Sequence, residues 1–361
     1  MKKNRYIILL GALALMSASA CIKEDSTSNA TYQKQYLQLW IDTYHPGVSQ
    51  NSDGLYILED IPGTGSAIEW GEKDDYVYAD VTIRTLGGTI SSSTDIKLAQ
   101  QLGTYDKKNG VYYGPRFYKI GEGSSYAGVD ALYNGMKLGG TRTAVIPSWM
   151  ITTSRYNTQQ EYLNNLPSNS SHLIYTVRPR MQCEDPTMVE LDSLKKYVTA
   201  HYGDLAAISY KDDEAADGTF YFISDLTNAD MGEEESEPIK RTSTTTATIN
   251  YTGRLLNGQV FDTTVEKVAK DAGIYNASKT YSPVSITFAE KWSEISMGGS
   301  TSLIDGFKGA LFQMNYPGEK ATALFTSTHG YGETGDTQTN KIPGYSPLIF
   351  EFELVTVSDL E

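Results

Sequence analysis

Two stretches of this chain pass through the same order of elements about 165 residues apart, and that repeat limits the fold more than any single motif. In the first, Tyr36, Leu37, Trp40, Ile41 and Tyr44 recur at helical spacing within Tyr32–Tyr44. His45-Pro46-Gly47 stops that helix, a polar loop runs to Asp53-Gly54, and a strand follows at Leu55–Leu58. In the second, Leu191, Leu194, Tyr197 and Val198 mark a helix over Met188–Tyr202 that ends at Gly203. An acidic loop then leads to Asp217-Gly218 and a strand at Thr219–Ile223. A spacing of this size fits two copies of one domain rather than a solenoid.

The bodies of the copies also correspond. Gly128-Val129-Asp130-Ala131-Leu132 and Gly306-Phe307-Lys308-Gly309-Ala310 each read as a short helix. A Gly turn and a strand follow each, Thr141–Ile146 and Lys320–Phe325. Alternating strands close the copies at Leu173–Val177 and Leu348–Val357. The expected fold class is α+β: two tandem domains, each a twisted antiparallel sheet wrapped on a short helix, with an extra N-terminal helix.

The N-terminus reads as a targeting segment. Lys2, Lys3 and Arg5 precede an apolar run, Ile7–Met16, too short to span a bilayer. Small residues then lead to Cys21, and Met16–Cys21 resembles a bacterial lipobox, with Ala18 where Leu is usual. Lipidation of Cys21 would tether the chain to the cell envelope, with the outer membrane and the cell surface as destinations. Lys23-Glu24-Asp25 resembles the surface-export signal of Bacteroidetes lipoproteins. Cys183 is the one cysteine left, which excludes an internal disulfide framework and a cysteine zinc site in the mature chain. A formal net charge of −14 repels phosphate backbones and argues against nucleic acid as a partner. His45, His172, His201 and His329 lack metal-ligand spacing and read as surface or turn residues.

One ordered set of motifs carries a resemblance. Asn250-Tyr251-Thr252-Gly253 followed by Asn257-Gly258-Gln259-Val260-Phe261-Asp262 looks like the signature of FKBP-type peptidyl-prolyl cis-trans isomerases. Ile304-Asp305-Gly306-Phe307 is similar to that family's helix start, Gly330-Tyr331-Gly332 to its flap, and Leu348–Leu354 to its final strand. The resemblance implies catalytic roles for Tyr251, Phe261, Asp262, Ile304, Phe307 and Tyr331, and substrate-wall roles for Leu303, Ile342 and Phe350. Val284 stands for a wall Phe, and Phe307 for the usual Trp floor. Residues 265–281 form an insertion that compact relatives lack.

The resemblance implies an apolar aromatic hole that binds proline-containing polypeptide segments and needs no cofactor or metal. Tyr331 and the Ile304 N–H would bond substrate carbonyls, and Asp262 would orient Tyr251. In the first copy Val81 stands near the place of Tyr251, Ile90-Ser91 for Phe261-Asp262, Val129 for the floor and Thr152 for Tyr331. That copy keeps the fold and not the catalysis. The expected division is a signal peptide at 1–20, a tether at 21–30 and a degenerate domain at 31–183. A helix, strand and acidic linker at 184–246 then lead to an isomerase domain at 247–361. The function expected is proline isomerisation during folding of exported proteins. The rival is a non-catalytic binding or chaperone lipoprotein built on the same scaffold, since fold alone does not fix function.

Overall fold

The computed structural model describes residues 28–69, 75–121, 125–211, 214–225 and 238–359. The N-terminal charged and apolar segment, Cys21 and residues 230–237 of the acidic stretch lie outside the described residues.

The first copy opens with α1 (Asn29–Tyr44), whose first turn is capped by the Ser28 hydroxyl and whose Leu37 and Ile41 are buried one turn apart. Then come β1 (Tyr56–Ile61), β2 (Asp75–Thr85), β3 (Ile90–Ser93), α2 (Ile96–Gln101) and β4 (Arg116–Ile120). α3 (Ala127–Tyr133), β5 (Thr141–Ile146), α4 (Gln159–Asn164) and β6 (Leu173–Cys183) complete it. The sheet runs β1-β5-β6-β2-β3 with antiparallel pairing, and β4 shares with β3 the far edge of β2. Its inner face, through Val77, Ala79, Val81 and Val177, packs on Leu132 and Tyr133 of α3.

The second copy repeats this plan. α5 (Pro186–Tyr202) starts on an Asp185 cap with proline in its first turn and stops at Gly203 (φ +69°). β7 (Phe220–Ser224), β8 (Thr245–Leu255), β9 (Val260–Thr263), α6 (Glu266–Ala272) and β10 (Val284–Thr287) follow. β11 (Ser296–Met297), α7 (Asp305–Gln313), β12 (Lys320–Phe325) and β13 (Leu348–Asp359) end the chain. The order is β11-β10-β8-β13-β12-β7 with β9 on β8, so β7, β12, β13 and β8 correspond to β1, β5, β6 and β2. α7 buries Phe307, Ala310 and Leu311 against one face, and α5 buries Leu194 and Val198 against Tyr221, Leu324 and Ile349. The result is a layered α/sheet/α body. This second body starts at α5: β7, placed by the sequence reading in the segment before Ala247, is the outer strand on β12.

Equivalent positions confirm the register of the two copies. Val81 and Tyr251 each donate their N–H to a threonine hydroxyl, Thr94 and Thr264, at 2.9 Å. The Gln33 side chain of α1 reaches the Ser148 hydroxyl, as the Glu190 carboxylate of α5 reaches that of Ser327. His172 departs from its expected surface place. It is buried, its Nδ1 accepting the Ser148 N–H at 2.9 Å and its Nε2 lying 3.0 Å from the Gln33 carbonyl. Cys183, at the end of β6, is a partly buried free thiol that burial pushes up to about 11, with Asp185 and Asp75 adding to the effect.

Candidate active site

β8 and β9 form a hairpin whose turn uses Gly258 in the left-handed region (φ +84°). The pairing sets Gly253 opposite Asp262. A side chain at Gly253 has no room, because a Cβ there would lie 2.5 Å from the Phe261 ring. The bare backbone lets the Phe261 and Phe350 rings meet edge to face at 5.6 Å. Phe307, projected by the first turn of α7, stands edge-on to Tyr251 at 5.4 Å and to Phe350 at 5.3 Å.

These rings wall a cavity of about 370 Å³. Tyr251, Phe261, Asp262, Leu303, Ile304, Phe307, Tyr331, Ile342 and Phe350 all line it. Larger hollows lie mainly on the first copy, about 540 Å³ around Arg155 and about 830 Å³ along Ser91–Ser93; both have aromatic residues in their walls but no phenylalanine. The Tyr251 hydroxyl donates to Asp262 Oδ2 at 2.7 Å. Burial raises the Tyr251 pKa, and Asp262 and then Tyr331 add to it, so that hydroxyl stays a donor. Tyr331 is also raised, by burial, Asp336 and Asp262, and its hydroxyl has no hydrogen-bond partner among the described residues. Ile304 is the N-cap of α7, and its N–H donates to no group among the described residues. The cavity therefore offers the Tyr331 hydroxyl and the Ile304 N–H as free donors, an aromatic floor, and the Asp262 carboxylate already held by a tyrosine. Among the described residues no group of three or more His, Cys, Asp or Glu is placed to hold a metal.

Known proteins are similar to this chain over its second copy. The sequence profile of the FKBP-type peptidyl-prolyl cis-trans isomerases matches residues 237–355. The chain is 32% identical to FK506-binding protein 1A of Aspergillus fumigatus over 112 residues, 31% of this chain and 77% of the relative. It is 31% identical to a short-type peptidyl-prolyl cis-trans isomerase of Methanocaldococcus jannaschii, over 24% of this chain and 49% of that one. A solved isomerase from Pseudomonas syringae pv. tomato is similar at 20% identity, covering 49% of this chain and 99% of its own, with a TM-score of 0.30.

This chain belongs to the FKBP-type isomerase family. It is a peptidyl-prolyl cis-trans isomerase.

In this isomerase one expected wall residue is misplaced. Val284 pairs with Ile249 on β10 and packs on the core outside the cavity, while Met297 lines the wall. Lys279, to which no motif points, reaches the same carboxylate: its Nζ lies 2.5 Å from Asp262 Oδ1. Asp336, Thr339 and Lys341 also line the cavity, from the loop after the flap. Burial raises the Asp336 carboxyl, but hydrogen bonds from Thr339 and Gln338 outweigh it and hold the group below its ordinary value. His329 does not face the cavity; it is clamped between the Tyr210 and Thr219 hydroxyls, at 2.7 Å from each.

In the first copy, Thr82 pairs with Ser93 as Thr252 pairs with Thr263. The equivalents of Phe261 and Asp262 are therefore Ser91 and Ser92, one residue later than Ile90 and Ser91. Val81, Val129 and Thr152 hold the places of Tyr251, Phe307 and Tyr331, so the aromatic rings and the carboxylate are missing there.

Proposed function

We propose that this isomerase acts through the cavity of the second copy, binding X–Pro segments and assisting the folding of exported proteins. Rotation about a peptide bond faces a barrier of roughly 18–20 kcal/mol from amide resonance. The planar amide is the more charge-separated form, so a dry aromatic hole stabilises it poorly and favours the twisted state. Phe307, Phe261 and Phe350 would grip the proline ring. The Ile304 N–H and the Tyr331 hydroxyl would hold the flanking carbonyls. Asp262, with Tyr251 on one oxygen, would face the carbon of the twisting amide. The observation that carries this reading is the convergence of these side chains on one cavity, with the Tyr251–Asp262 bond among them.

The lipobox-like stretch around Cys21 supports a lipid-anchored enzyme of the cell envelope, with exported chains as clients. Among the described residues no helix is long and apolar enough to cross a membrane.

The test is the cis-to-trans rate of a proline tetrapeptide with the full chain. Asp262→Ala and Tyr331→Phe should each lower kcat/KM, by about ten- to hundredfold if a hydrogen bond in the twisted state is lost. Phe307→Trp should keep activity, since an aromatic floor is retained. Wild-type rates in Asp262→Ala and Tyr331→Phe together, with unchanged melting, would count against the cavity as the site.

A further inference from the structure

The loop at 333–345 walls one side of the cavity with Asp336, Thr339, Lys341 and Ile342. Among the described residues, Asn340 (φ +54°) and Tyr345 (φ +53°) are the two non-glycine residues in the left-handed region. An L side chain there is strained, so surrounding contacts must hold each in place. Both residues make such contacts with the first copy. The Tyr112 N–H donates to the Asn340 carbonyl at 2.9 Å. The Tyr345 ring meets Tyr76 and Phe117 edge to face, at 5.7 Å and 5.8 Å, and its hydroxyl lies 3.2 Å from that of Tyr76. Between the two anchors, Lys341 and Ile342 turn into the cavity.

The loop is also closed on itself. Asp336 N–H donates to the Ile342 carbonyl at 2.8 Å, and Tyr345 N–H to that of Gly332 at 3.0 Å. A Cβ at Gly344 would fall 1.9 Å from the Glu333 carbonyl oxygen, so the two limbs touch backbone to backbone. Such a loop moves as a unit, and its placement depends on what holds its two strained residues.

We propose that the first copy is a positioning platform for the active site: Tyr76, Tyr112 and Phe117 fix loop 333–345 in the form that walls the proline cavity. The inference rests on the cavity being the substrate site. It assigns the first copy, which lacks the aromatic floor, carboxylate and flap tyrosine, a part in the reaction of the second. Tyr76, Tyr112 and Phe117 are positioning residues, since none of them lines the cavity.

The experiment uses the full chain, with Phe117→Ala on one side of the contact and Tyr345→Ala on the other. Amide exchange and proline-tetrapeptide kinetics are measured on both. Each variant should speed exchange at 336–345 by about tenfold and leave β8 and α7 protected. Each should raise KM by roughly three- to tenfold and change kcat less than about twofold. The double variant should be no worse than the worse single one, because both remove the same contact. Wild-type exchange and KM in either folded variant overturns the platform. Phe307→Ala separates the two readings. If it keeps full activity, the cavity is not the site and the platform's catalytic role falls with it. If it loses activity while both anchor variants behave as wild type, the platform alone is overturned.

Discussion

Lys279 Nζ sits 2.5 Å from Asp262 Oδ1, so the carboxylate that accepts the Tyr251 hydroxyl is also paired with a cation. Both side chains are more than a third exposed, and such pairs contribute about 0–1 kcal/mol to stability. The consequence lies in the cavity's charge. Lys279→Met should leave melting nearly unchanged and make the mouth more negative. The kcat/KM ratio for peptides with Lys rather than Glu before proline should then rise by several-fold at low salt and shrink as salt is added. An unchanged ratio at low salt would show that Lys279 does not set the field seen by substrate.

The buried imidazole of the first copy predicts a pH dependence. Burial lowers His172 from its ordinary 6.5 to about 4, against the Gln33 carbonyl, which acts to raise it. The folded chain thus keeps the ring neutral where the unfolded chain takes up a proton. Stability is fully present above pH 6.5 and is lost as pH falls from 6.5 towards 4, by up to about 3 kcal/mol. Trp149 packs edge-on to His172 at 5.6 Å, so its fluorescence reports the site. Urea unfolding at pH 7, 5.5 and 4.5 should show the decline in wild type and a flatter course in His172→Gln. Parallel curves for the two proteins would rule out His172 as the cause.

Anchoring can be tested in cells. Cys21→Ser should move the protein from the membrane fraction to the soluble one and abolish incorporation of a labelled fatty acid. Retention in the membrane fraction with no lipid label in wild type would exclude the anchor. Protease added to intact cells then distinguishes surface display from a periplasmic orientation.

The strand and helix pattern was legible because its signals are local: Leu37 and Ile41, or Leu194 and Val198, sit one turn apart in the chain and in the core. The cavity was legible through motifs that place Tyr251, Asp262 and Phe307 in family order. What escaped depends on register or on distant contacts. The slip at Ser91-Ser92 comes from setting Ile90 against Phe261; both hairpins carry the same bulge, and it places Ile90 opposite Arg84 as it places Val260 opposite Arg254. Hydrophobic matching prefers Ile90 for Phe261 because the true equivalent, Ser91, is polar. Val284 was misread because a strand residue in a matching position still packs where its own pairing with Ile249 directs it. Lys279 lies 17 residues beyond Asp262 and outside every motif that carries the resemblance, so none of them announces the pair.

The family likeness begins at residue 237, yet β7 at Phe220–Ser224 already belongs to the second sheet. β7 occupies the hydrogen-bonding edge of β12 and stacks Phe220 on Phe325 at 5.9 Å. A fragment cut where the likeness starts would bare a run of unpaired amides and carbonyls along β12, a template to which another chain can add a strand. It would also strip α5 from Leu324 and Ile349, leaving an apolar face in water. The smallest self-contained piece of this isomerase is therefore longer than its recognisable part, and the extra length is what keeps the sheet from recruiting its neighbours.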